Sequence, residues 1–298
     1  MILATGGSGQ VATELAQTSD DVVQFKVVGK SELDISSLDS VRTTLDIYNP
    51  QFVVNAAAYT AVDLAEGHKK DAFLVNAQGA GNLAQACADR DIPLLHMSSD
   101  YVFAGNVKNS SESFSEDDLP NPKGIYAHSK HAGDIAVSAG LDKHIILRVS
   151  GVFSGHSPCF PRAILKAGHK LSKLRVVDDQ VSGPTSARSI ALVIRQIVSS
   201  YIENGHVSWG TYHFAQQPFM SWFEFAKTII GEATLKDKRF ENITIQSVST
   251  ADYGAKAPRP SNSCLDSTKL RETFELSESL FDWRPDLELA ITQIISDI

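Results

Sequence analysis

Thr5-Gly6-Gly7-Ser8-Gly9-Gln10-Val11-Ala12 stands between a short apolar run, Ile2-Leu3-Ala4-Thr5, and a helical pattern carrying Val11, Ala12, Leu15 and Ala16. A glycine turn from a first strand into a first helix is where a pyrophosphate meets the unsatisfied N–H groups of the helix. Gly6 permits the sharp turn, Gly9 lets the backbone approach the phosphates, and Ala12 takes the small position where helix packs on strand. A plain turn is the bland alternative, and its place at the first strand argues against it.

Outward from that turn, short apolar runs alternate with longer helical patterns. Strands are expected at 22–28, 52–54, 93–97 and 144–149. Helices are expected after Ser36 or Ser37, at 71–90 and at 126–139. This alternation with continuous apolar strands means a parallel sheet covered on both faces, a doubly wound, Rossmann-like α/β fold. Residues 1–150 read as a dinucleotide-binding domain and 151–298 mostly as a smaller substrate-binding lobe, with strands near 174–177 and 210–215 completing the sheet. The stretch 110–123, with Glu112, Glu116, Asp117 and Asp118, reads as an exposed acidic loop.

The chain has 298 residues, 43% hydrophobic and 21% charged, the composition of a soluble globular protein. A net charge of −8 gives no electrostatic footprint for nucleic acid or an anionic membrane. No apolar run approaches the ~20 residues of a membrane span, so a cytoplasmic protein is expected. Cys87, Cys159 and Cys264 lack CxxC or Cys/His spacing, and the nine histidines lack HExxH spacing, so neither disulfide nor metal is expected.

The reacting chemistry lies in Tyr126-Ala-His-Ser-Lys130, 27 residues after Ser99. Residues four apart share one helix face, so a phenol and an ammonium address one pocket. A cation beside a phenol favours its phenolate, and a hydroxyl such as Ser99 can hold a carbonyl oxygen against it. That equipment suits reduction of a ketone or oxidation of an alcohol. Ser99 ends the run His96-Met97-Ser98-Ser99-Asp100-Tyr101, at the strand edge where open parallel sheets bind ligands.

The spacing Gly6-x-x-Gly9-x-x-Ala12 resembles the extended short-chain dehydrogenase/reductase superfamily. Asn55-Ala-Ala-Ala-Tyr-Thr-Ala-Val-Asp63, Ser98-Ser-Asp-Tyr-Val-Phe103, Asp179-Gln180 with Gly183-Pro184-Thr185, and Arg259-Pro260-Ser-Asn262-Ser263 resemble the dTDP-4-dehydrorhamnose reductase family in order along the chain. The resemblance implies reduction of the 4-keto group of a dTDP-4-keto-6-deoxysugar. Tyr126 would be the general acid, Lys130 its partner on the nicotinamide ribose, and Ser99 the carbonyl clamp. Gly6, Gly9, Gln10, Val11, Ala57, Ala58, Tyr59, Thr60 and Met97 would border the cofactor, with Asp34 and Ile35, after a third strand, against the adenine. Lys30, where an acidic residue would accept ribose hydroxyls, leans the cofactor toward NADPH, with NADH the alternative. Asp100 and Tyr101 would hold the sugar.

Two positions depart from the family. Gly151, in Arg148-Val-Ser150-Gly151-Val152-Phe153, replaces an aromatic residue near the sugar. Glu14 matches one position of the acidic Mg²⁺ cluster through which some members pair, but Arg188 stands where another carboxylate belongs. A monomer or homodimer is expected. Two other readings stand beside this one: another extended sugar-nucleotide reductase or epimerase, and a non-catalytic NADP-binding subunit resembling the methionine adenosyltransferase beta subunit.

Overall fold

Four consecutive buried residues, Ile2–Thr5 (β1), form an inner strand of the main sheet in this computed structural model, which describes residues 1–105, 109 and 112–298. The other elements follow in chain order. The glycine turn leads into α1 (Gln10–Gln17), then β2 (Phe25–Val28), α2 (Leu38–Tyr48) and β3 (Phe52–Asn55). The helical segment expected at 71–90 is composite. Lys69–Phe73 is α-helical, Leu74–Gly79 is a π-helical turn, and α3 is Ala80–Ala88. Next come β4 (Leu94–Ser99), α4 (Ile125–Gly140) and β5 (His144–Val149).

Beyond these lie α5 (Phe160–Gly168), β6 (Lys173–Val177), α6 (Ala187–Asn204) and β7 (Gly210–Phe214). The chain ends with α7 (Trp222–Lys236), β8 (Thr244–Val248) and α8 (Arg284–Ser296).

The six-stranded parallel sheet has the order β7-β5-β4-β3-β1-β2. Two strand expectations need correction. β6 is not part of this sheet; it pairs in parallel with β8 as a separate two-stranded sheet. No third strand stands between β2 and Asp34. The N–H groups of Glu32 and Leu33 turn back to the Gly29 carbonyl, and Asp34 Oδ1 accepts from the Ser36 N–H and hydroxyl. Such local bonds compete with a strand ladder.

Register then sets the site. Thr5 lies opposite Asn55, Asn55 opposite His96, and Ser99 opposite Val149, so the polar residues gather at the carboxyl edge. One face of the sheet packs Leu15 of α1 and Ile190 and Ile194 of α6. The other packs Val41, Leu83 and Val137 of α2, α3 and α4. A third cluster, with Leu165, Phe225, Trp283 and Ile291, holds α5, α7 and α8 together near β6. Full burial of such side chains contributes about 1.5–3 kcal/mol each before the entropy of ordering them. Of the loop expected at 110–123, Ser110 and Ser111 lie outside the described residues. The remainder is not simply exposed, because Phe114 is buried, stacked on Phe103 with ring centroids 4.6 Å apart.

Candidate active site

At the glycine turn, a Cβ on Gly6 would stand 2.9 Å from the Ala56 carbonyl carbon and oxygen, so only glycine lets β1 pass this close to β3. The Gly9 N–H is already bonded to the Gly6 carbonyl at 2.8 Å. Donors for a phosphate are therefore the first-turn N–H groups from Gln10 onward, at a helix N-terminus with no side-chain cap and no acidic residue in its first turn. Ala12 is buried against the sheet and Val11 nearly so. The Gln10 and Ser98 side-chain oxygens are buried without a protein partner, and both residues line the adjoining cleft. This donor set fits a dinucleotide.

Behind the turn, the Thr5 hydroxyl donates to Asn55 Oδ1 at 2.7 Å, and Ala57 N–H reaches both side chains at 3.2 Å. Asn76 accepts from the Tyr59 N–H at 2.8 Å, and its Nδ2 donates to the Tyr59 carbonyl and the Ser129 hydroxyl. The π-helical turn thus ties the Ala57-Ala58-Tyr59-Thr60 edge to α4. Nothing in the sequence pattern pointed to Asn76. Lys30 lies on the exposed loop after β2, its Nζ 3.7 Å from Asp34 Oδ2. The Ser36 hydroxyl holds the Asp34 carboxyl below the usual range. Ile35 packs its side chain into the core against Gly79.

Ser99, Tyr126 and Lys130 converge at the carboxyl edge of β4. Lys130 Nζ donates to the Met97 carbonyl at 2.7 Å, and burial lowers its pKa to about 8 despite Asp134. Burial pushes the Tyr126 phenol up to about 12, opposed by the Ser99 hydroxyl. The lowering of the phenol by the Lys130 ammonium that the sequence led us to expect is not found. Desolvation outweighs it. Asp100 lines the cleft, yet its carboxylate is buried and engaged. Oδ1 accepts from Ser99 at 2.8 Å and Oδ2 from Ser150 at 2.9 Å, while burial raises its pKa against hydroxyls that include Ser263. Tyr101 packs edge-on against Tyr126, centroids 5.4 Å apart.

Ser99, Asp100, Tyr101 and Tyr126 line a cleft of about 330 Å³. Its far wall brings in Val62, Gln180, Trp222, Pro260 and Ser263, none of them a sequence-level candidate. Trp222 opens α7 directly after Ser221, whose capping box with Glu224 fixes the helix start, and its ring lies 4.6 Å from Phe160. Gly151 shares the cleft with left-handed φ of +52°, and a Cβ there would meet the Gly183 carbonyl oxygen at 2.9 Å. The missing aromatic is therefore fixed by the backbone. The wall is tied down by Arg259, which donates to Asp63 Oδ2 at 2.8 Å, and by the Ala257 N–H on Asp63 Oδ1 at 3.0 Å. Asn262 Nδ2 donates to the Asn109 and Glu112 carbonyls.

Away from the cleft, Arg188 donates to Asp286 Oδ1 at 3.0 Å, and His156 Nε2 lies 3.1 Å from Glu14 Oε1. Burial raises Glu14, opposed by His156 and Arg188. Among the described residues no group of three or more acidic, histidine or cysteine side chains is arranged to hold a metal ion. None of the described helices is long and apolar enough to cross a membrane.

A phosphate-ready helix at β1 and a hydroxyl, phenol and ammonium set at β4 place this protein among the Rossmann-type oxidoreductases of the extended short-chain dehydrogenase/reductase class. The chain belongs to the RmlD substrate binding domain family, whose sequence model it matches over residues 1–296. It is 38% identical over 290 residues to the dTDP-4-dehydrorhamnose reductase of Aggregatibacter actinomycetemcomitans, covering 96% of this chain and 97% of the relative. It is 33% identical over 272 residues to the spore coat polysaccharide biosynthesis protein SpsK of Bacillus subtilis, covering 91% and 90%. Among solved structures, the Bacillus anthracis dTDP-4-dehydrorhamnose reductase in complex with NADP superposes with a TM-score of 0.86 at 28% identity, covering 100% and 99% of the chains.

Proposed function

We propose that this protein is an NADPH-dependent reductase of a nucleotide-linked 4-keto-6-deoxysugar, turning dTDP-4-dehydro-6-deoxy-L-mannose into dTDP-L-rhamnose. The observation that carries the reading is that Ser99 and Tyr126 line one cleft beside the uncapped start of α1, with Lys130 buried one helical turn behind the phenol on the Met97 carbonyl. The names of the relatives support the sugar, and the NADP held by the Bacillus anthracis relative supports the cofactor.

The cofactor would lie with its pyrophosphate on the first turn of α1 and its nicotinamide ribose against Lys130, and when bound it supplies a hydride. The protein's own residues handle the oxygen and the proton. The Ser99 hydroxyl, which donates to Asp100 Oδ1, would turn that proton to the carbonyl oxygen when the sugar binds. Tyr126 stays protonated through neutral pH, so it is the phenol O–H that passes a proton to the same oxygen. Lys130 is an ammonium below about pH 8 and orients the ribose hydroxyls beside the phenol. General acid catalysis of this kind contributes about 10²–10⁴-fold. Trp222 and Val62 narrow the cleft and keep water from the reacting carbonyl.

The test is NADPH oxidation with dTDP-4-keto-6-deoxysugars and identification of the product. Dependence on the keto sugar with an L-rhamnosyl product is the expected result. Tyr126→Phe should lose about 10²–10⁴-fold in kcat while still binding NADPH. Full activity in that variant overturns the mechanism, and sugar conversion without net NADPH consumption marks an epimerase instead.

A further inference from the structure

Gln216 stands two residues past the carboxyl end of β7 and is fully buried. A buried carboxamide is costly unless both of its ends are met, and here both are. Its Oε1 accepts from the Ser186 N–H at 2.7 Å. Its Nε2 donates to the Leu280 carbonyl at 2.9 Å and the Ser189 hydroxyl at 3.0 Å, with the Asp282 carbonyl at 3.2 Å. Ser189 gives its own proton to Asp286 Oδ2 at 2.6 Å, so toward the amide it is an acceptor. An N–H on one side and two carbonyls on the other leave the carboxamide a single orientation.

The Gln216 backbone joins the same structure. Its N–H donates to the Thr185 hydroxyl at 3.3 Å, and its carbonyl oxygen stands 2.8 Å from where a Cβ on Gly183 would be. Thr185 carries the connection onward, its hydroxyl donating to the Gly183 carbonyl at 2.9 Å and its N–H to the Gly151 carbonyl at 3.1 Å. Thr185–Ser186 also pairs in parallel with Val152–Phe153, Val152 opposite Thr185 and Phe153 opposite Ser186. Gly151 and Val152 line the cleft. The Gln216 amide thus lies one layer behind the sugar end and fastens that layer to the start of α6 and to the 280–282 segment. None of these partners lies on α1, the 55–60 edge or α4, the elements that would seat the cofactor.

We propose that Gln216 is a positioning residue for the reduction, setting through Ser186 and Thr185 where the Gly151–Val152 edge meets the sugar. The inference rests on the keto-sugar reading given above. Its mark is selectivity: loss of the amide loosens the wall against the sugar and leaves the seat of the cofactor as it was. A hydrogen-bonded hub that only stabilises the fold lowers the melting temperature without separating the two ligands.

The experiment is steady-state kinetics with dTDP-4-dehydro-6-deoxy-L-mannose, alongside NADPH affinity by fluorescence titration and thermal melting of each variant. Gln216→Met keeps the length of the side chain and removes both polar ends. It should raise the KM for the keto sugar about two- to tenfold, the net worth of one hydrogen bond. NADPH affinity and kcat at saturating sugar should stay at their wild-type values. Thr185→Val deletes the hydroxyl between Gln216 and Gly183 and should show the same split, whereas Thr185→Ser keeps it and should behave as the wild type. A lower melting temperature with the sugar KM unmoved, or equal rises for sugar and NADPH, overturns the proposal. If Gln216→Met fails to fold, the Thr185 pair decides, and equal sugar KM values for its two variants refute the proposal. A wild type that turns over no keto sugar refutes the functional reading and this proposal with it, while unsplit variants of an active wild type refute this proposal alone.

Discussion

Gly151→Ala tests whether the glycine at the sugar end of the cleft is required by the backbone. Its φ of +52° lies where an L-residue is strained by about 1–2 kcal/mol. A Cβ would also come within 2.9 Å of the Gly183 oxygen and 3.2 Å of the Pro184 Cα, backbone atoms that cannot rotate aside. Forcing atoms into such a contact costs about 1–3 kcal/mol more. Gly205, which closes α6 with φ +69° and has nothing within 4 Å of its would-be Cβ, carries the first cost without the second.

Gly151→Ala should thus lose about 1–3 kcal/mol more than Gly205→Ala, read from urea unfolding midpoints at unchanged m-value. Because Thr185 N–H bonds to the Gly151 carbonyl at 3.1 Å, the displaced strand should also raise the KM for the sugar substrate more than that for NADPH. Equal losses at the two sites, or none at Gly151, would refute the reasoning and leave the absent aromatic without a structural cause.

Lys30→Asp should raise the NADPH KM by roughly fivefold to tenfold, about 1 kcal/mol of charge interaction in water, while leaving the NADH KM unchanged. Parallel changes for both cofactors would show that Lys30 does not face a 2′-phosphate. Asp63→Asn weakens the pair with Arg259 across the cleft, and since Asp63 is 45% exposed a loss of only about 0.2–1 kcal/mol is expected. It should appear as an up to several-fold higher KM for the sugar, with NADPH binding as in the wild type. Ser99→Ala removes the hydroxyl aimed at the carbonyl oxygen and should lower kcat by about 10²–10³-fold in steady-state turnover. A KM effect alone would assign Ser99 to binding.

The reacting trio was legible because its geometry is local. Tyr126 and Lys130 sit four apart on one helix, and Ser99 ends a strand whose edge faces that helix. The glycine turn was legible for the same reason, and the structure adds that the Gly9 N–H is spent within the turn. What the sequence concealed depends on long-range register. Trp222, Gln180 and Ser263 reach the cleft from segments 40 or more residues beyond α4, and no periodicity links them to Ser99. The Lys173–Val177 strand has an apolar pattern that suits either sheet. Its pairing with Thr244–Val248 follows from where α5 and α7 pack, which periodicity does not encode. Asp134 did leave a signal, an acidic residue at the third step of the Tyr126, Lys130 helix face.

Asp100 and Asp134 illustrate why residue type alone could not assign these roles. Both are buried aspartates next to the catalytic trio, 4% and 3% exposed. Asp100 is met by hydroxyls, from Ser99, Ser150 and Ser263, and burial raises its pKa. Asp134 is met by the Arg148 guanidinium. Register makes the difference. Ser99 stands opposite Val149, one position past the Ser98–Arg148 pair, so Ser150 closes over Asp100 while Arg148 lies deeper, under α4. The phenol therefore has the neutral Ser99 hydroxyl beside it, which suits the proton donor proposed, while the carboxylate on the same helix face is held by Arg148. A one-residue slip of β5 would leave every residue of the motif present but take Arg148 off Asp134 and Ser150 off Asp100.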